Sequence, residues 1–160
     1  MRCMQCGSPM KTKRENFLYG ESGLPVTLLG VEVSRCRKCG EFEVAIPRTE
    51  ELHRVIAMEV IGKRARLTPP EIRFLRKVLG WSGADLARRI GVSVGAVSRW
   101  ENGRDPMGPV ADRLLRLMVA HTKTGTDYPV DRLAEVAEEA PEPLRLGMQP
   151  DAKGWHAAAA

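Results

Sequence analysis

The chain has 160 residues, with 25 lysines and arginines, 20 acidic residues and a formal net charge of +5 at pH 7. This length suits one ordinary domain or two small ones. No run approaches the roughly 20 consecutive apolar residues of a membrane span, and cysteines stand where a signal peptide needs its apolar stretch, so we expect a cytoplasmic protein. Residues 54–104 carry eleven basic and four acidic residues, which favours a polyanionic partner such as nucleic acid.

Residues 1–46 are predicted to form a small β-rich unit, because segments 26–29 and 31–33 are typical of short strands. The unit is too poor in large apolar residues to be stabilised by burial alone. It contains every cysteine of the chain, in two CxxCG motifs: Cys3, Cys6, Cys36 and Cys39.

This cysteine spacing predicts a zinc ribbon. Two intervening residues let both thiolates of a pair converge on one ion, and the glycine that follows permits the turn that points backbone N–H groups at sulfur. Four thiolates fill a tetrahedral shell and leave no open position, so we predict one structural Zn²⁺ per chain, coupled to folding. An iron–sulfur or rubredoxin-type iron site and redox-active thiols are the alternatives.

Residues 47–66 are predicted to form a helical connector with Thr49 as its N-cap. Residues 67–121 are predicted to form a helical domain whose first helix starts with a Thr68 cap and a Pro-Pro pair. Its last helix is predicted to have an apolar inner face: Val110, Leu114, Leu117 and Met118. The expected fold class is α+β, with a small N-terminal zinc ribbon and a C-terminal all-α part of five helices.

Residues 122–160 are predicted to form an acidic C-terminal extension, which we expect to be partly disordered. A short acidic helix is predicted at 131–140. After Pro141 the chain is punctuated by Pro and Gly and ends in four alanines, so we expect no regular structure there.

The segment SGADLARRIGVSVGAVSRWE at 82–101 satisfies the helix-turn-helix pattern. Ser82 and Ser93 are predicted to cap its two helices, Ala87 is small where they cross, and Gly91 allows the sharp turn between them. Five residues are then predicted to face the core: Leu86, Ile90, Val92, Val97 and Trp100. The same register turns one face of the second of these helices outward, toward a DNA major groove. This reading face consists of Ser93, Val94, Gly95, Ser98, Arg99 and Asn102.

Arg99 is the only long cation on the reading face, and we predict that it contacts O6 and N7 of a guanine. A phosphate contact, or an ion pair with Glu101 or Asp105, is the alternative. Phosphate contacts are also predicted for three residues near helix ends: Ser82, Ser93 and Arg104.

The order CxxCG…CxxCG followed by LTPPEIRFLRKVLGWSGADLARRIGVSVGAVSRWENGR resembles MqsA/YgiT-type zinc-finger proteins over about residues 1–121. The C-terminal half of that family belongs to the Xre/Cro class of helix-turn-helix domains. The resemblance implies a homodimer that reads a palindromic operator, commonly its own promoter. In the antitoxin members it also implies an RNase toxin partner, bound through the zinc half. Gly83 stands where this class often has a groove-contacting Gln, and Gly95 replaces a polar group often found on the reading helix.

We predict that the chain is not an enzyme, because its three histidines are scattered and no Gly-rich phosphate loop follows a strand. Three hypotheses stay open. The chain is a DNA-binding autorepressor that is also the antitoxin of a type II toxin–antitoxin pair, or a stand-alone regulator responding to metal, redox state or a protein partner. The third hypothesis is a structural adaptor that uses the helix-turn-helix for protein contacts.

Overall fold

The structure is a computed structural model that describes residues 1–124 and 140–159. The strands are β1 (Met10–Leu18), β2 (Val26–Cys36), β3 (Phe42–Ala45), β4 (Leu146–Pro150) and β5 (Trp155–Ala158). The α-helices are α1 (Thr49–Gly62), α2 (Pro69–Val78), α3 (Gly83–Ile90), α4 (Val94–Glu101) and α5 (Pro109–Val119). Among the described residues, no helix combines the length and apolar character that crossing a membrane requires.

Strand β2 organises the sheet. Strand β1 pairs with it antiparallel along one edge. The other edge is shared by β3, which is antiparallel to β2, and β4, which is parallel to it, and β5 extends the sheet beyond β4. A β-bulge at Gly30, whose φ is 62°, adds one residue to β2. The extra residue keeps apolar side chains on the inner face in both halves of the strand: Val26, Leu28, Val31 and Val33.

The sheet and the helices share one hydrophobic core. Leu52 and Ile56 of α1 belong to the same buried cluster as Leu28 of β2 and Leu86 of α3. The predicted α+β class is therefore confirmed, and burial against helices stabilises the N-terminal strands in addition to any metal.

The prediction that the chain after Pro141 lacks regular structure was wrong. Strand β4 places Leu146 opposite Val26, and Met148 and Trp155 are buried in the core. The Trp155 indole N–H donates to the carbonyl of Pro47 at 2.7 Å. The helix predicted at 131–140 falls almost entirely outside the described residues.

Two helix details also differ from the sequence predictions. The N-cap of α1 is Arg48, in a left-handed conformation with φ 50°, and Thr49 is the first helical residue. Arg48 donates to the carbonyl of Asp151 at 2.9 Å and pairs with Glu51 at 3.2 Å. The Asp151 contact depends on the C-terminal segment, which a local capping rule does not include.

The predicted inner face of α5 was wrong as well. Val110 is 77% exposed and Leu117 is 39% exposed, whereas the buried residues of the helix are Asp112, Leu115, Arg116 and Val119. A buried ion pair, Asp112–Arg116 at 2.7 Å, occupies the inner face. The sequence pattern assumes that charged residues face solvent, so it predicts the wrong face of α5 as the buried one.

Candidate nucleic-acid interface and metal centre

The first helix of the predicted helix-turn-helix, α3, begins with reciprocal hydrogen bonds between Ser82 and Asp85. The Asp85 backbone N–H donates to Ser82 Oγ at 3.1 Å, and the Ser82 backbone N–H donates to Asp85 Oδ2 at 2.9 Å. The bond from the Ser82 backbone, followed by that from its hydroxyl, lowers the pKa of the Asp85 carboxyl. The charged carboxylate at the helix N-terminus thereby stabilises the start of α3, and the predicted Ser82 cap is confirmed.

The turn between α3 and α4 follows from two small residues. Gly91 has a φ of 82°, a left-handed conformation that strains any residue with a side chain, and its N–H donates to the Ala87 carbonyl at 2.9 Å. Ala87 is buried. Ser93 then caps α4 by accepting the N–H of Ala96 at 3.1 Å. The two helices are thus joined in a fixed orientation.

The inner face of α4 packs on the core through Val97, which is buried, and Trp100, which is half-buried. Its opposite face is exposed at every position of the predicted reading face: Ser93, Val94, Gly95, Ser98, Arg99 and Asn102. Val94 is 55% exposed at the N-terminal end of this face, where an apolar side chain suits contact with a thymine methyl group.

A clamp between α2 and α4 fixes the position of the reading face. The Glu101 carboxylate, whose side chain is 9% exposed, accepts from Arg76 Nε at 2.5 Å and from Arg76 Nη2 at 3.0 Å. Arg73 adds an ion pair at 3.6 Å, and Arg76 also donates to the carbonyl of Trp81. The hydrogen bond to Glu101 raises the pKa of Arg76. No local sequence pattern indicates this clamp, because its partners are 25 residues or more apart.

Arg99 makes an ion pair with Asp105, Nε to Oδ2 at 2.6 Å, and does not pair with Glu101. Asn102 is largely engaged within the protein. Its amide donates to the Ser98 carbonyl at 2.8 Å, and its Oδ1 accepts from Arg73 at 3.2 Å. Of the predicted base-reading side chains, Arg99 thus has the longest reach from an exposed position.

The other predicted contacts lie around the ends of α3 and α4. Ser82 and Arg104 are exposed, and no residue of the described ranges forms an ion pair with Arg104. Gly83 is half-buried, with Val97 Cγ1 4.0 Å from the position that a Cβ would take. The Arg89 guanidinium lies over the Trp81 ring at 4.3 Å, a cation–π contact that sequence analysis did not foresee.

The four cysteines lie on two loops with the same backbone hydrogen bonds. In the first loop, Gly7 N–H donates to Cys3 O at 2.8 Å and Cys3 N–H donates to the carbonyl of Ser8 at 2.9 Å. In the second loop, Gly40 N–H donates to Cys36 O at 3.1 Å and Cys36 N–H donates to the carbonyl of Glu41 at 2.8 Å. Both glycines are left-handed, with φ of 68° and 78°, as the CxxCG pattern predicts.

The loops bring all four Sγ atoms within 4.8 Å of one another. Cys3 and Cys39 are 3.5 Å apart, as are Cys6 and Cys36. A tetrahedral ion with metal–sulfur distances of about 2.3 Å requires sulfurs about 3.8 Å apart, so the cluster fits such an ion. Hydrogen bonds from the Ser8 hydroxyl and backbone lower the pKa of the Cys6 thiol to about 6.

Part of the helical region matches a known protein family. The sequence model of the HTH_3 family, described as helix-turn-helix, matches residues 72–118. Residues 72–118 are a helix-turn-helix domain. This domain belongs to the Xre class and spans α2 to α5, including the reading face, and a DNA-binding regulator is the function that it supports. No curated protein matches the chain.

Proposed function

We propose that the chain is a sequence-specific transcriptional regulator that binds the major groove of duplex DNA through α4. The observation that carries the proposal is the solvent-exposed reading face of a helix whose other face and both ends are fixed. Ser93 caps its N-terminus, Val97 anchors it in the core, and Glu101 is held by two arginines of α2. A helix held in this way is suited to carry base-contacting side chains into a groove.

Within this function, Arg99 contacts guanine O6 and N7, while Ser82, Ser93 and Arg104 contact phosphates. We propose that the chain acts by binding rather than by catalysis. Its site of action is the cytoplasm, and its promoter target includes its own upstream region, as the resemblance to MqsA/YgiT-type proteins implies.

The experiment is selection of duplexes from a randomised library, followed by fluorescence anisotropy on the enriched sequence. The proposal expects an enriched motif bound at least about 10³-fold more tightly than random DNA at physiological salt. It expects Arg99→Ala to reduce base discrimination by about 1–3 kcal/mol. An equal loss on motif and random DNA would instead assign Arg99 to a phosphate, and failure to enrich any motif would refute the proposal.

We propose that the chain binds DNA as a homodimer and that α5 supplies the contact. Val110 and Leu117 are exposed, and Leu114 lies one turn from each, so the three form an apolar stripe on the outer face of α5. Self-association would bury this stripe and present two reading faces to a palindrome. Sedimentation equilibrium tests the idea: Leu117→Glu should give monomers, whereas Leu18→Glu, at an exposed residue of β1, should not.

The metal that we propose for the cysteine cluster is Zn²⁺, one ion per chain, with a structural role. Four thiolates occupy every tetrahedral position, so no site is left for a substrate or an activated water. Mass spectrometry of the native protein should give one zinc per chain. A visible absorption band from iron–thiolate charge transfer would favour the iron alternative.

The resemblance to MqsA/YgiT-type proteins further supports an antitoxin role, with an RNase toxin as partner. Co-expression with the product of the adjacent gene tests it, since an antitoxin should co-purify with that protein and relieve its toxicity. The second candidate is a stand-alone regulator that responds to metal, redox state or a protein partner. The exposure of Cys39 favours this candidate, because an outer ligand is accessible to oxidants and chelators. Loss of promoter binding after mild oxidation, with no toxin encoded nearby, would support it.

A further inference from the structure

The surroundings of Arg99 are fixed by the turn that follows α4. Gly103 has a φ of 68°, and the chain reverses so that the N–H groups of Arg104 and Asp105 both point at the Arg99 carbonyl, at 2.9 and 3.4 Å. This places the Asp105 carboxylate beside the Arg99 side chain, where it accepts the Nε–H at 2.6 Å. The position of Asp105 is therefore set by the backbone and does not depend on the ion pair alone.

The end of the Arg99 side chain lies close to Gly95, which leaves room for it because glycine has no Cβ. A Cβ built on Gly95 would lie 3.2 Å from Arg99 Nη1, closer than an ordinary van der Waals contact. The guanidinium therefore extends back along the outer face of α4 and covers Gly95. Among the described residues, none accepts a hydrogen bond from Nη1 or Nη2 of Arg99, so the N–H groups of both terminal nitrogens have no acceptor in this part of the chain.

We propose that Asp105 is a positioning residue that orients Arg99, across the gap left by Gly95, for end-on recognition of one guanine per half-site. The inference rests on the proposed function and adds to it the residues that determine its specificity. A guanidinium carries five N–H donors in a rigid plane. Asp105 occupies the Nε donor and leaves one N–H on each terminal nitrogen to reach O6 and N7 of the same base.

The ion pair is weak in the free protein, because its side chains are 49% and 53% exposed and solvent screens them. Closure of a DNA groove over the pair excludes water and strengthens it. In the complex with DNA, Asp105 then restrains the plane of the guanidinium while its terminal nitrogens contact the base. It also repels phosphates, so its presence costs affinity on every sequence while favouring one base.

The two residues together explain why a helix-turn-helix domain tolerates a glycine in the first turn of its reading helix. Gly95 costs helix stability and offers no polar group of its own. Its value in this arrangement is the absence of a Cβ, which lets Arg99 lie flat against the helix and reach Asp105.

The experiment is selection from a randomised duplex library with the full chain and its variants, reading the base preference at each position. Wild type should select guanine at one position per half-site by tenfold or more, within the roughly 5- to 150-fold range of a bidentate contact. Asp105→Ala should lower that preference to about threefold or less, leave the other positions unchanged, and raise affinity for random DNA. Asp105→Asn, which keeps an acceptor oxygen, should retain an intermediate guanine preference. Glu59→Gln, an exposed acid of α1, is the charge-matched control and should leave the motif unchanged.

Gly95→Ala separates a positioning role from a structural one, because its two expected effects have opposite signs. Replacing glycine within a helix should raise the melting temperature. The added methyl displaces Arg99 Nη1 by a few tenths of an ångström and should lower the guanine preference. A variant that is more stable and less selective supports the inference.

The outcomes distinguish the inference from the function on which it rests. If wild type enriches a motif and Asp105→Ala keeps the same guanine preference, the positioning role is overturned while DNA recognition stands. If Asp105→Ala strengthens guanine preference, Asp105 competes with DNA for Arg99, which also overturns it. If wild type enriches no motif, the proposed function fails, and this inference fails with it.

Discussion

Replacing Arg116 with methionine should destabilise the protein strongly, although Arg116 is far in sequence from the reading face. The Arg116 side chain is fully buried, and its Nε donates to Asp112 Oδ1 at 2.7 Å. Its terminal nitrogens donate to three carbonyls that follow or end α1: Ile61 at 3.3 Å, Lys63 at 2.5 Å and Ala65 at 2.7 Å. The residue therefore fastens the link between α1 and α2 onto α5.

Methionine fills most of the volume of arginine but donates no hydrogen bond. Breaking a buried ion pair by removing one partner costs about 3–5 kcal/mol. Asp112 keeps the N–H of Leu67 at 2.8 Å and its ion pair with Arg66 at 3.5 Å, which lower the cost, while the carbonyls left without a donor raise it. We expect a net loss of about 3–5 kcal/mol, large beside a typical total stability of about 5–15 kcal/mol.

Urea denaturation followed by circular dichroism measures this loss, which should correspond to a fall of about 6–20 °C in melting temperature. Arg116→Lys keeps the charge but lacks the fork, so its stability should be intermediate. Arg54→Met, at an exposed residue of α1, is the matched control and should change stability by less than about 0.5 kcal/mol. A loss below about 1 kcal/mol for Arg116→Met would refute the structural role assigned to these hydrogen bonds.

Three further outcomes are expected. Chelation of the metal should increase amide hydrogen exchange in the loops at 3–8 and 36–41. The exchange of buried β2 residues such as Leu28 should stay nearly unchanged, and global unfolding of the chain would contradict the shared core. Trp155→Ala should destabilise the chain by about 3–5 kcal/mol in the same denaturation assay. Trp155→Phe should cost less, because phenylalanine keeps part of the buried ring packing and loses the rest together with the hydrogen bond to Pro47. Unchanged stability of Trp155→Ala would mean that β5 is not docked. Burial lowers the pKa of His53 below its ordinary 6.5, so the folded protein favours the neutral ring. The contribution of His53 to the free energy of unfolding should therefore be fully present above pH 6.5 and be lost as the pH drops through the pKa of the folded state. His53→Gln should flatten this part of the profile in thermal melts from about pH 8 to about pH 5, and a parallel profile would contradict the assignment.

Much of the helical domain was predictable from the sequence because its determinants are local. Ser82 and Ser93 cap helices through residues three positions ahead, and Gly91 supplies a conformation that few other residues adopt. The two CxxCG loops are local in the same sense, since each is closed by hydrogen bonds within a few residues. Such features need no knowledge of the rest of the fold.

The errors arose where distant segments determine the structure. Strand β4 pairs with β2, which lies far from it in the sequence. The two apolar residues that β4 buries, Leu146 and Met148, form too short a local pattern to predict a strand. The partners of Glu101 lie on another helix, so no local pattern indicates them. The buried Asp112–Arg116 pair lies on the face of α5 that its charges would assign to solvent. Buried ion pairs defeat periodicity arguments because those arguments assume that charge faces water.

Nuclear magnetic resonance titration of the isotope-labelled protein with its enriched duplex tests the central claim most directly. The amide signals of residues 93–102 and of the first turn of α3 should shift most, and Arg99 side-chain Nη signals should become protected from exchange. If the largest shifts fell on the N-terminal sheet, or if α4 signals stayed unchanged at saturation, α4 would not be the DNA-reading element.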